Sequence, residues 1–139
     1  MIITFQMANQ SIRVVAAVVR NQGRYLITQR REQAVLPLLW EFPGGKVKAG
    51  ESDEAALERE LRERLDARAT IGKKAGEKHH VYDGYEVTLV LYNATFDERR
   101  PLVAKKVKEF RWVLSSEFER YPFPAADQHT MDQLLGIKR

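Results

Sequence analysis

Apolar positions along the chain fall into short runs divided by turn-forming residues. Ile12 to Arg20 is rich in valine and ends at Asn21-Gln22-Gly23, which predicts a buried strand followed by a reversal. Arg24 to Arg30 alternates in part and fits its hairpin partner. Leu38 to Phe42 reads as a short apolar strand, cut off by a turn at Pro43-Gly44-Gly45. From Ser52 to about Asp66 the pattern changes to a helix. Ser52 suits an N-cap, Asp53 and Glu54 complement the helix dipole, and Leu57, Leu61 and Leu65 form one apolar stripe. Ala69 to Lys74, Tyr85 to Phe96 and Phe110 to Leu114 predict three further strands. Ser115 or Ser116 can cap a helical turn, and Ala125 to Leu135 predicts a closing helix. Strands and helices mixed without a βαβ rhythm predict an α/β (α+β) layered fold around a mixed sheet.

Composition narrows the function classes. The 139 residues contain no repeat or Pro/Gly/Ser linker, so one domain spanning 1–139 is expected. Without cysteine there are no disulfides, thiolate metal sites or cysteine nucleophiles. Met1 to Gln10 lacks a signal-peptide pattern, and the aliphatic run Val14 to Val19 is far too short to span a bilayer. A cytoplasmic protein without a membrane partner is the expectation. The net charge of +4 raises a nucleic-acid reading, but the basic residues are spread along the chain. Even Lys105, Lys106 and Lys108 lie in no binding motif, so we read the charge as solvated surface. A phosphate-rich small ligand also suits such a balance.

The stretch that carries chemistry begins at Gly44-Gly45-Lys46. Two glycines after a strand let backbone approach a ligand closely. Glu51 precedes the helix, and Glu60, Glu63 and Arg64 fall within roughly a 100° arc beside the leucine stripe. Oxygen ligands gathered there suit Mg²⁺ or Mn²⁺. A helix of merely solvated acids, paired with Arg59 and Arg62, is the plain alternative. The joint occurrence of Trp40-Glu41-Phe42-Pro43-Gly44-Gly45, Glu51 and Arg59-Glu60 favours the chemical reading.

This pattern resembles the Nudix hydrolase family, whose box reads G-x5-E-x7-R-E-U-x-E-E-x-G-U, with U a bulky aliphatic residue. Gly45, Glu51, Arg59, Glu60, Leu61 and Glu63 match it. Similarity to the MutT-like branch extends through Ile27-Thr28-Gln29-Arg30-Arg31, Phe110-Arg111-Trp112-Val113 and Phe123-Pro124-Ala125-Ala126-Asp127. The resemblance implies a Nudix fold, with a mixed β-sheet sandwiched between helices. It implies metal-dependent hydrolysis of a nucleoside di- or triphosphate at phosphorus. On the same basis, Glu60, Glu63 and the Gly45 carbonyl would hold Mg²⁺ or Mn²⁺, with Glu51 and Arg59 supporting them. Arg30 and Lys46 match positions near phosphates, and Phe42, Tyr82, Phe123 and Asp127 are candidates for holding the base. Phe42 and Phe123 suit a hydrophobic core better than contact with the base. Domains of this kind occur as monomers and as homodimers.

The chain departs from the pattern in four places. Arg64 replaces the second adjacent glutamate, Asp66 the glycine, and Ala67 the last aliphatic residue. Lys106, six positions before Trp112, stands where MutT-like enzymes often carry an acid. An Arg⁺ held about 6 Å from a divalent cation costs roughly 5 kcal/mol at an effective dielectric of about 20. Arginine can instead lie along a phosphate and substitute for part of the metal's charge. Glu109, Asp97, Glu98 or metal-bound hydroxide are candidates for the missing base. His79 and His80 point to opposite sides if extended and cannot readily share one metal; a loop or edge position is expected for them. The leading expectation is a nucleotide diphosphatase with an altered metal site. The alternative is a Nudix-fold nucleotide-binding or regulatory module with impaired catalysis.

Overall fold

The computed structural model describes residues 10–138, so nearly all of the Met1 to Gln10 segment lies outside it. The strands are β1 (Gln10–Asn21), β2 (Arg24–Gln29), β3 (Trp40–Glu41), β4 (Gly44–Lys46), β5 (Ala69–Tyr82), β6 (Tyr85–Phe96) and β7 (Glu109–Val113). Helix α1 (Asp53–Leu65) joins β4 to β5, and a 3-10 turn at Ser115–Arg120 precedes α2 (Gln128–Leu135). β1 organises the sheet. It runs parallel to β6 from Gln10↔Tyr85 to Val19↔Ala94, antiparallel to β4, and meets β2 at its far end. The order is β3-β2-β1-β6-β5, with β7 also pairing β2. The predicted mixed sheet is present.

Alternation along β1 and β6 gives the sheet two buried faces. Val15, Ala17 and Val19 join Val90 and Ala94 against Ala56, Leu57, Leu61 and Leu65 of α1. Ile12 and Val14 lie instead with Tyr85, Val87, Met131 and Leu135, which brings α2 to the opposite face. The sheet is therefore sandwiched between helices. Burying each leucine of the α1 stripe contributes roughly 1.5–3 kcal/mol, enough to fix the helix's rotation about its axis.

Ser52 caps α1 as its sequence predicts, its Oγ accepting from the Ala55 amide at 3.1 Å. The other end closes at Asp66, which adopts a left-handed φ of +55° while its amide donates to the Arg62 carbonyl and the Ala67 amide donates to that of Leu61. That conformation explains the family's glycine here; aspartate is one of the few other residues that tolerates it.

Four of the boundaries that differ from those predicted matter most. Gly44 and Gly45 do not turn; they form β4 opposite Ala16 and Val15. The pairing continues outward through Ala17 N–H to Pro43 O and Val47 N–H to Arg13 O. A Cβ on Gly44 would collide with the Val15 carbonyl, so the missing side chain permits the strand. Leu38 has φ +64° and cannot begin a strand, which restricts β3 to Trp40–Glu41. β5 runs eight residues beyond Lys74, and α2 starts at Gln128 because Asp127 is its cap. Among the described residues no helix is long and apolar enough to cross a membrane.

Candidate functional site

The loop between β4 and α1 is tied to the helix by one arginine. Arg59 Nε and Nη2 donate to the two oxygens of Glu51 at 2.7 and 2.9 Å, and Nη2 also reaches the Lys46 carbonyl at 3.1 Å. Arg59 Nη1 donates to Glu60 at 2.9 Å and more weakly to Glu63 at 3.4 Å. The Arg59 guanidinium and the Lys48 amide hold the Glu51 carboxyl well below the usual range, at about 2. Glu51 is therefore a permanent anion that positions Arg59.

Glu60 lies over β4. It is 8% exposed, on the same side of α1 as the buried leucines, and a Cβ on Gly45 would come within 2.6 and 2.7 Å of its oxygens. Gly45 is thus required by close approach of a carboxylate. Glu60 does not stand free. Arg59 holds one oxygen, and Arg64 Nε donates to the other at 2.6 Å. Arg64, the residue in place of a family carboxylate, points back into the acid cluster.

These groups open on a cavity of about 590 Å³ on the α2 face of the sheet. Arg30, Phe42, Gly45, Lys46, Glu60, Tyr82 and Phe123, all predicted from sequence, line it together. Phe42 and Phe123 meet edge to face at 5.6 Å. Tyr82 stacks on His80 and donates to the Ala126 carbonyl at 2.8 Å. Lys46 Nζ donates to the Leu135 carbonyl, at the end of α2. Glu51, Arg59 and Glu63 are absent from the lining and stand behind or beside it. Asp127 is also absent from it: its oxygens accept from the Thr130 amide and hydroxyl, both at 2.8 Å, as the α2 cap. Glu109, Asp97 and Glu98 do not line the cavity either. His79 and His80 sit in the edge strand β5; His79 pairs with Glu86 while His80 reaches the cavity.

One functional group was missed. Glu41 lines the cavity, within 3.4 Å of Arg30, and burial pushes its carboxyl up against the opposing pull of Arg30 and Arg64. A glutamate alternating with Trp40 and Phe42 in an apolar strand was the available signal. Among the described residues no three His, Cys, Asp or Glu side chains converge as a ready cation cage.

Comparison with known proteins agrees with this geometry. The family model described as NUDIX domain matches residues 14–133. The chain belongs to the Nudix family, and its similarities lie in the MutT-like branch. It is 33% identical over 127 residues to a CTP pyrophosphohydrolase of Escherichia coli K12, covering 91% of this chain and 93% of that one. It is 31% identical over 131 residues to an 8-oxo-dGTP diphosphatase of Haemophilus influenzae, covering 94% and 96%. Among solved structures, the E. coli ORF135 protein superposes with a TM-score of 0.73 at 32% identity, over 92% of this chain and 91% of that chain. MutT of Methanosarcina mazei matches the fold with a TM-score of 0.72 at 22% identity, over 95% and 99%.

Proposed function

We propose that this protein hydrolyses a phosphoanhydride bond of a nucleoside di- or triphosphate held in the cavity beside Glu60. The observation that carries the reading is the convergence of Gly45, Glu60 and Arg30 with an aromatic wall of Phe42, Tyr82 and Phe123 on one cavity. Aromatic faces suit a base, and cationic side chains suit phosphates. In the reaction a water oxygen bonds to phosphorus, the bond to the bridging oxygen breaks, and phosphate or pyrophosphate leaves. The relatives' names support this chemistry.

By the chemistry of its donors the site suits at most one divalent ion, which would have to draw Glu60 away from Arg59 and Arg64. Glu60, Glu63 and the Gly45 carbonyl offer hard oxygens, and Mg²⁺ commonly completes its shell with substrate phosphates and water. Mg²⁺ or Mn²⁺ held there would neutralise phosphate oxygens and activate water. The chain's own part is positional. Glu51 fixes Arg59, Arg59 orients Glu60, and the glycines of β4 let Glu60 settle against the sheet.

The Arg64–Glu60 contact favours a second reading, a nucleotide-binding module with little turnover. A panel of canonical and oxidised nucleotides, incubated with Mg²⁺ or Mn²⁺, separates the two. Hydrolysis should be seen with at least one, and Glu60→Gln should lower it about a hundredfold or more. Binding by calorimetry with no turnover of any nucleotide would establish the module instead.

A further inference from the structure

Next to the cavity, and sharing Arg30 and Arg64 with it, lies a recess of about 220 Å³ lined by Arg30, Arg31, Ala34, Arg64 and Lys106. Four cations line it and no carboxylate does. Three separate elements bring them together. Arg30 and Arg31 follow β2, and Arg30 is held there by Nε donating to the Val35 carbonyl at 2.8 Å. Arg64 comes from the last turn of α1. The segment carrying Lys106 docks on that turn, with the Lys105 and Lys106 amides donating to the Arg64 carbonyl at 3.0 and 3.2 Å, and Lys108 N–H to Gln29 O at 2.8 Å. Lys106 is therefore placed beside Arg64 by backbone hydrogen bonds.

Most of the donors are also available; Arg30 has two engaged, Nε on the Val35 carbonyl and Nη1 on Glu41. Arg64 uses only Nε toward Glu60, which orients the guanidinium and leaves Nη1 and Nη2. Among the described residues none forms a hydrogen bond or ion pair with the side chains of Lys106 or Arg31. Like charges gathered in one recess repel, and an anion relieves that repulsion. Planar guanidinium forks match the oxygens of phosphate. Arg64 and Lys106 occupy the two positions where the family pattern carries acids, so this recess has exchanged the chemistry of a cation site for that of an anion site.

We propose that the Arg30–Arg31–Arg64–Lys106 recess binds the terminal phosphate of a nucleoside polyphosphate through side chains alone, so that nucleotide binding, unlike turnover, needs no divalent ion. The inference rests on the nucleotide reading above, and its test separates the two. Wild type, Lys106→Glu and Arg64→Gln are titrated by calorimetry in EDTA with inorganic pyrophosphate, and with the four common ribonucleoside triphosphates and their monophosphates. Lys106 is exposed and makes no side-chain bond, so Lys106→Glu should keep the wild-type melting temperature. Pyrophosphate and at least one triphosphate should bind wild type in EDTA and weaken about tenfold or more in both variants. Monophosphate affinity should not change. Triphosphate binding that appears only with Mg²⁺, or equal affinities across the variants, overturns the recess and leaves the nucleotide reading intact. If no nucleotide binds with or without Mg²⁺, the nucleotide reading falls, and the pyrophosphate titration alone decides whether the recess is an anion site.

Discussion

The two ends of α1 are built from the same kinds of residue to opposite effect. At the entering end, Glu51 is reached by Arg59 from the middle of the helix, Arg59 also holds Glu60, and each charge is answered within the protein. At the leaving end, Arg64 answers only part of its charge on Glu60, and Lys106 and Arg31 beside it are left facing a recess. The first end follows the family pattern and the second departs from it. Where a side chain is demanded by its protein neighbours, as Gly45 is by Glu60, the fold itself restricts what can stand there. Where it faces a ligand, only the ligand restricts it.

The interlocked end can be broken most severely through Gly45. A methyl group there meets a carboxylate that is buried and held from both sides, so it cannot move aside cheaply. Gly45→Ala should cost about 3 kcal/mol, read as a lower urea midpoint with unchanged slope. A midpoint within error of wild type would mean that Glu60 is freely displaceable and the interlock is loose.

Arg59→Ala tests the same end by removing the charge that joins Glu51 to Glu60. About 2 kcal/mol of stability should be lost, since a buried carboxylate forfeits one of its two partners. The pH dependence is the sharper readout. Glu51 has its carboxyl lowered from 4.5 to about 2 in the folded protein. Its contribution is thus fully present above 4.5 and disappears as pH falls toward 2. In Arg59→Ala that part of the acid slope should flatten; an unchanged slope would assign the effect to another carboxylate.

How much of this contrast was legible beforehand follows the same division. The leucine stripe, Ser52 and the acids of α1 announced the helix and the framework of the site, because period and capping are local signals. β4 was hidden because glycine signals a turn by default, and only the proximity of β1 explains a strand there. β5 was cut short because an edge strand exposed on both sides shows no alternation, and its register shifts between Ile71 and Gly76 interrupt the pattern further. Asp127 was read from resemblance as a ligand residue, while its local role as the cap of α2, each oxygen accepting from Thr130, went unread. The cationic recess could be read only as two departures, Arg64 and Lys106, and not as one place. Forty-two residues separate them, and the backbone bonds that join them appear only in three dimensions.

The open end should respond to charge in the direction opposite to the closed one. Restoring acids with Arg64→Glu and Lys106→Glu together should raise Mg²⁺-dependent turnover about tenfold or more, because two repulsive cations become potential ligands. The same pair of changes should abolish pyrophosphate binding in EDTA. Steady-state rates over an Mg²⁺ titration check the first point. A rate no higher than wild type at any Mg²⁺ concentration would show that the departures are not what limits catalysis.

The smallest effect belongs to Asp66, where the helix turns left-handed at its open end. Asp66→Gly restores the residue best suited to φ +55° and should relieve strain at the cap. It also removes the carboxylate that accepts from Arg100 Nη2 at 2.9 Å, while the Arg100 contact to the Asp66 backbone oxygen survives. That side-chain pair is largely solvated and contributes little, so relief of the backbone should outweigh it. We expect the melting temperature to rise by about 2 °C, with Arg100→Ala alone lowering it by less. A fall in Asp66→Gly comparable to that in Arg59→Ala would show that the ion pair, and not the backbone geometry, holds the helix end closed. The two ends of α1 would then be interlocked alike, and the contrast between them would lie only in the residues that face the recess.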